Sequence, residues 1–268
     1  MSSNFKYINK LQNKHILIFG GTSGIGFGVA EACIEQGAHL TLTSSSQSNL
    51  DAAVHRLQTS YPDHPSSKLH TATCDLSTLP TLSANLLTLL NTVTNNGTFP
   101  INHIVFTAGD SLPLKPLSDI DAAYVSASFA LRFTAPLLLA AHLPNFMPAS
   151  PDSSLTLTGG INSHKPRRGW TLPASVGSAI EGLTRGLAVD LAPRRVNCVA
   201  PGAIATELFT KNGIEEGGEV WEGFRRASTV GKVGRVEDVV EAYLWGMRDG
   251  FGSGTVVHSS GGGLLVGW

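Results

Sequence analysis

The stretch HILIFGGTSGIG at residues 15–26 restricts this chain more than any other. His15 to Phe19 form a short apolar run that stops at glycines, the pattern of a buried strand. Ile25 to Gln36 then carries apolar residues at helical spacing until Gly37 ends it. A strand that enters a helix through a glycine-rich turn lets backbone N–H groups approach an anion closely, and the positive end of the helix faces it. The strand before and the helix after are what separate a dinucleotide turn from an ordinary one. Gly20, Thr22, Ser23, Gly24, Ile25 and Gly26 are therefore the candidate pyrophosphate cradle.

The rest of the chain repeats this alternation. Strands are expected at His39–Thr43, Leu69–Cys74, His103–Thr107, Leu155–Thr158, Val196–Ala200 and Thr255–His258. Helices are expected at Asn49–Ser60, Leu82–Val93, Ile120–Leu143, Ala174–Leu191 and Val236–Met247. Pro136 inside the long Ile120–Leu143 run predicts a kink or break there. Strands alternating with helices imply an α/β fold: one doubly wound Rossmann-type domain over residues 1–268, with a parallel sheet of about seven strands covered on both faces. There is no linker, internal repeat or low-complexity segment.

A chain of 268 residues builds one large core without disulfide or metal staples. A formal net charge of −1 and a charged fraction of 15% leave no basic field for nucleic acid and no charged tail. The opening MSSNFKYINK lacks the apolar core of a secretory signal, and no unbroken apolar run of about 18 residues predicts a membrane span. Cys33, Cys74 and Cys198 lie far apart in apolar stretches, as buried reduced thiols of a cytoplasmic protein would. The nine histidines scatter without ligand spacing, so no metal is expected.

The end of the second strand bears on the cofactor. An NAD-specific fold places Asp or Glu there to hold the ribose hydroxyls. Here Thr43 is followed by Ser44, Ser45, Ser46 and Gln47, so no carboxylate repels a 2′-phosphate and three hydroxyls ahead of a helix start are available to bind one. The expected cofactor is NADP(H). No Arg stands at this point, and a plain Ser-rich turn is the competing reading.

GGTSGIG, Cys74-Asp75-Leu76, Thr107-Ala108-Gly109 and VNCVAPGAIAT at 196–206 together resemble the short-chain dehydrogenase/reductase family, in order and over nearly the whole chain. The resemblance implies that Asp75, with Leu76 beside it, holds the adenine. It implies that Ala108 and Gly109 line the ribose, and that Pro201, Gly202, Ile204 and Thr206 border the nicotinamide. It also implies a homo-oligomer, a dimer or tetramer, through the helices at Ile120–Leu143 and Ala174–Leu191.

The family's proton relay does not carry over. Anchored on EGLTRGLAVDLAP at 181–193, its Tyr-x-x-x-Lys falls on Pro173-Ala-Ser-Val-Gly177. Its Ser falls on Thr158-Gly159-Gly160, with Ser163 a few residues on, and its helix Asn falls near Arg132. Pro has no side-chain proton to give and Gly no charge, so general acid catalysis by the usual route is absent. One explanation is a degenerate cofactor-binding module or an ordinary reductase of secondary metabolism. The other is a site recruited for different chemistry.

The N-terminal KYINKLQNKHILIFGGTSGIGFGVAEA, SSSQSNLDAA and the TAGD at 107–110 are similar to a fungal subgroup of these reductases. That subgroup includes triad-less Diels–Alderases of bridged diazaoctane indole alkaloids, of the malbrancheamide, paraherquamide and citrinadin type. The resemblance implies site roles for Arg132 and Trp170, and a prenylated indole alkaloid precursor as the small-molecule substrate. In such a member NADPH reduces an iminium and the pocket folds the product into a (4+2) cycloaddition. Bifunctional members carry an acid before the Trp. Here HKPRRGW places Arg167 and Arg168 there, and a cation repels an iminium but hydrogen-bonds a carbonyl. A cycloaddition needs one folded conformer and a polarised carbonyl more than a proton relay, which Arg132, Arg167, Trp170 and the apolar Leu172, Leu208, Phe209 and Trp221 would supply.

Overall fold

The computed structural model describes residues 6–109 and 114–266; Asp110 of the TAGD motif lies outside them. Its strands are β1 (His15–Phe19), β2 (His39–Ser44), β3 (Leu69–Thr73), β4 (His103–Phe106), β5 (Ser154–Thr158), β6 (Arg195–Pro201) and β7 (Val256–Ser259). They form one sheet in the order β3-β2-β1-β4-β5-β6-β7, every pairing parallel. Strand order reverses between β1 and β4, so the crevice at their carboxyl ends is where a doubly wound sheet takes its ligand. The glycine-rich turn leaves β1 at that point.

The helices are α1 (Gly24–Glu35), α2 (Gln47–Ser60), α3 (Leu79–Val93), α4 (Ala122–Phe129), α5 (Ala135–His142), α6 (Thr171–Asp190), α7 (Glu207–Lys211), α8 (Glu219–Arg226) and α9 (Val236–Arg248). Two cores flank the sheet, and β1 shows why. Ile16 and Ile18 enter the core under α1, α2 and α9, while Leu17 and Phe19 enter the core under α3, α5 and α6. The strand's period of two thus deals one continuous apolar run to both faces.

Three departures from the sequence reading have local causes. The long helix breaks where expected, but by widening: Ala130–Thr134 is a π-turn between α4 and α5. Pro136 has no N–H for the carbonyl of Arg132 and its ring crowds that carbonyl, so the i→i+4 ladder cannot pass. Second, α6 begins at Thr171, three residues earlier than expected, because Pro173 sits in its first turn, where a missing N–H costs nothing. Third, α7 and α8 were not expected from a glycine- and charge-rich stretch. The second of these has Glu219 and Glu222 in its first turn and Arg225 and Arg226 in its last, which complements the helix dipole.

By length and composition alone the helical run Ala122–Asn145 is apolar enough to cross a membrane, although Ser126, Ser128, Arg132 and Thr134 interrupt it. Only 28% of its most apolar window is buried. It packs against α3 and α6 and leaves Val125 and Leu137 exposed.

Candidate functional site

Gly20 has φ +78°, and a Cβ there would stand 2.8 Å from the Ala108 backbone, so the turn passes hard against the end of β4. A Cβ on Gly26 would overlap the Gly20 carbonyl. Thr107 fastens the same junction by donating its Oγ1 hydrogen to the Phe19 carbonyl at 2.8 Å. The turn therefore packs Gly20 against Ala108 and Gly26 against Gly20. Ser23, the α1 N-cap, makes no side-chain cap bond. Instead the Gly24 N–H donates to Oε2 of Glu207 at 2.9 Å, a carboxylate from the start of α7 that sequence reading missed.

At the end of β2 the hydroxyls have local duties. Ser44 Oγ accepts from the Ser46 N–H at 3.2 Å, and Ser46 Oγ caps α2 by accepting from Asn49 N–H and lies 2.9 Å from Ser48 Oγ. Ser45 is exposed. After β3, Oδ1 of Asp75 accepts from the Ser77 hydroxyl at 2.6 Å and the Ser77 N–H at 2.8 Å. Those donors, with Thr78, hold its carboxyl below the usual range, an ionised acceptor at the expected adenine position. Leu76 beside it is buried.

Arg132 rides on the π-turn and packs its guanidinium flat against Gly109, where an added Cβ would be 2.7 Å from Nη1. This places the cation on the Ala108–Gly109 wall. At the end of β5, the Thr158 hydroxyl is consumed structurally, 2.8 Å from both the Phe106 carbonyl and the Tyr243 hydroxyl. Tyr243 is fully buried with its phenol pushed up by desolvation, so it is a core residue and no substitute acid.

The vacated relay positions hold a different arrangement. Pro173 and Gly177 are both buried on α6. The space beside Gly177 is taken by Ser163, whose Cβ would be 3.2 Å from a Cβ at 177. Ser163 Oγ lies 2.5 Å from Oε1 of Glu181, one helical turn beyond Gly177, and the His164 ring reaches that oxygen at 2.9 Å. His258 meets His164 edge-on at 4.9 Å and has its pKa lowered by burial first and by His164 second. Ser163 stands near the family's Ser position, and His164 opens the HKPRRGW loop. Glu181 was missed, though i+4 spacing from Gly177 was a usable sign.

A cavity of about 380 Å³ opens between the loop after β5, the loop after β6 and the C-terminal glycines, a size suited to a small molecule. Arg167, Trp170, Pro201, Gly202, Ile204 and Phe209 all line it. Gly169, at φ +78°, makes the tight turn that seats Trp170 as the α6 N-cap, with its N–H donating to the Arg167 carbonyl at 3.0 Å. Arg167 lies 4.8 Å over the Phe224 ring, with its pKa lowered by burial. Lys165, Lys232 and Asp238 are also in the wall, and Lys232 Nζ is 2.8 Å from both Asp238 oxygens. The wall is thus apolar with an excess of cations. Of the other apolar candidates, Leu172 is buried in the core, Leu208 is exposed and Trp221 faces a neighbouring cavity behind Phe209.

Elsewhere, His15 is pushed down to about 4 and His103 to about 3, both by burial, as neutral core histidines. The three cysteines are buried and unbridged; burial pushes the Cys33 and Cys198 thiols up to about 12 and Cys74 to about 11. Among the described residues no three His, Cys, Asp or Glu side chains gather as a metal site.

The chain matches a model of the SDR-like Rossmann domain over residues 7–266. It is 42% identical to the short-chain dehydrogenase/reductase malC of Malbranchea aurantiaca over 257 residues, 95% of this chain and 96% of the relative. It is 40% identical to the short-chain dehydrogenase/reductase fsr5 of Gibberella fujikuroi over 271 residues, 99% and 100% of the two chains. The solved structure of the MalC reductase/Diels-Alderase superposes with a TM-score of 0.90 at 40% identity, covering 96% of this chain and 99% of that one. A small-chain dehydrogenase solved in complex with NADPH matches at 0.75 with 25% identity, covering 95% and 100%. The protein belongs to the short-chain dehydrogenase/reductase family, within a set of fungal relatives and without the family's tyrosine and lysine.

Proposed function

We propose that this protein binds NADP(H) along the crevice from the glycine-rich turn to Pro201-Gly202, and that its cavity directs an intramolecular (4+2) cycloaddition of a prenylated indole alkaloid precursor. One observation carries the reading. An apolar cavity holding Arg167 and Trp170 adjoins the nicotinamide-side loop, while Pro173 and Gly177 leave no proton donor at the relay positions. A cycloaddition needs a single folded conformer and donors aimed at a carbonyl, both of which such a wall supplies. The name reductase/Diels-Alderase of the 40% identical structure supports it. The cofactor supplies hydride chemistry when bound; the cationic wall disfavours an iminium, so its role here is principally to complete the cavity.

Enantiomeric excess of the bridged product is the readout, because an uncatalysed closure without a chiral wall favours neither face. One enantiomer is expected with the protein and a prenylated indole bearing a ketopiperazine-type azadiene. A racemic product, with and without NADP(H), would return the chain to a plain reductase or a binding module.

For the cofactor, titration should show NADP(H) binding about tenfold or more tighter than NAD(H), worth roughly 1.4 kcal/mol. The reason is the absence of a carboxylate after β2. Equal affinity would refute the assignment. The exposed apolar face of α4 and α5, with Val125 and Leu137, is proposed to pair with a second copy of the chain. Sedimentation of Leu137→Glu should show more monomer than wild type; an unchanged distribution would rule that face out.

A further inference from the structure

Glu207 occupies the place where the sequence reading seats the cofactor's pyrophosphate. Its Oε2 accepts from the Gly24 N–H at 2.9 Å, so the first free donor of α1 is capped by a residue 183 positions away. The preceding Thr206 packs its side chain on Gly24, where a Cβ would be 3.5 Å from it. The same carboxylate stands 4.0 Å from Nη1 of Arg56, whose guanidinium lies 3.8 Å over the Phe27 ring of α1. Two residues on, Phe209 lines the substrate cavity on one side and a second cavity beside α1 on the other. Its ring packs on Phe224 at 5.5 Å and on Trp221 at 6.1 Å.

We propose that Glu207 is a built-in competitor of the dinucleotide, and that its release from Gly24 couples cofactor binding to the cavity wall at Phe209. A helix N-terminus stabilises one anion in its first turn, and a second anion at the same donors meets the repulsion of the first. A pyrophosphate arriving at Gly24 must displace the carboxylate or bind against it. Displacement frees the start of α7, and Phe209 on that helix moves with it. Arg56 offers the displaced carboxylate an alternative partner. The protein thereby senses its cofactor through the wall that shapes the substrate, without any hydride transfer.

The proposal rests on the cofactor reading above, and the test separates the two. NADPH is titrated into wild type, Glu207→Gln and Glu207→Ala, following nucleotide fluorescence. Both variants should bind about fivefold tighter, the order of one carboxylate at a helix terminus. Unchanged or weaker binding in the properly folded variants overturns the competitor role. The wall is read by Trp221 emission, isolated by subtracting a Trp221→Phe protein. It should change on NADP⁺ saturation in wild type and change much less in Glu207→Gln, and equal changes overturn the coupling. If neither wild type nor the variants bind NADP(H), the cofactor reading fails first and this proposal falls with it.

Discussion

Arg132→Ala should slow the directed cycloaddition by about 10²-fold, and Trp170→Ala should leave much of the rate while eroding its enantiomeric excess. The proposed function assigns the two side chains to different quantities. The Arg132 guanidinium is held flat on Gly109 by the π-turn, a preorganised donor, and removal of such a donor elsewhere costs about 10²–10³ in rate. Trp170 is a rigid wall at the α6 N-cap, so its removal adds volume where the substrate must fold one way. A loss of ~1–2 kcal/mol in the preference for one folded conformer cuts the facial ratio by about 5–30-fold. Rates and product ratios of the two variants, measured on one substrate, check the split. Equal loss of rate and selectivity in both would show that Trp170, in the cavity wall, and Arg132, on Gly109 and outside the cavity lining, share one role.

Restoring Pro173→Tyr with Gly177→Lys should not produce an ordinary ketone reductase. A positioned general acid is worth about 10²–10⁴ in rate, so its absence makes turnover of simple ketones negligible in the wild type. Putting the residues back does not put back their setting. A Cβ at 177 would meet Ser163 at 3.2 Å, so a lysine there must push aside the serine that holds Glu181. Pro173 is buried in the first turn of α6, so a tyrosine ring there overfills its site, at about 1–3 kcal/mol. NADPH oxidation with simple ketones should remain near background while the melting temperature falls. Turnover at ordinary enzyme rates, about 1–10³ s⁻¹, would show that only the two side chains had been lost.

What sequence reasoning reached, and what it did not, follows the range of the interactions involved. β1, its glycine turn and α1 were legible because an apolar run, two close approaches and a 3.6-residue period all lie within about twenty-five residues. Pro201, Gly202, Arg167 and Trp170, far apart in the sequence, line one cavity. Glu207 was not legible, because nothing near residue 207 states that its carboxylate caps a helix begun at residue 24. Glu181 was hidden in the same way: its partners Ser163 and His164 come from the loop after β5. α7 was hidden because five residues are too few to display a period, and α8 because its Trp221 and Phe224 meet their partner Phe209 on α7. At β2, the serines read as free hydroxyls were partly committed, since Ser46 spends its oxygen on the helix it starts.

The widened turn at Ala130–Thr134 gives this site a means of adjustment that a regular helix lacks. Each residue of an α-helix advances the side chains by about 100°. A π-turn absorbs one additional residue locally and lets the helix continue on both sides. The side chain on that turn is therefore aimed by helical phase, independently of the packing of α3 and α6 on either flank. Moving Pro136 and its bulge by one residue would swing the guanidinium off Gly109 and turn a neighbouring side chain toward it. A lineage that had discarded its proton relay would thus have a route to new donors by sliding a defect along a helix instead of rebuilding a loop.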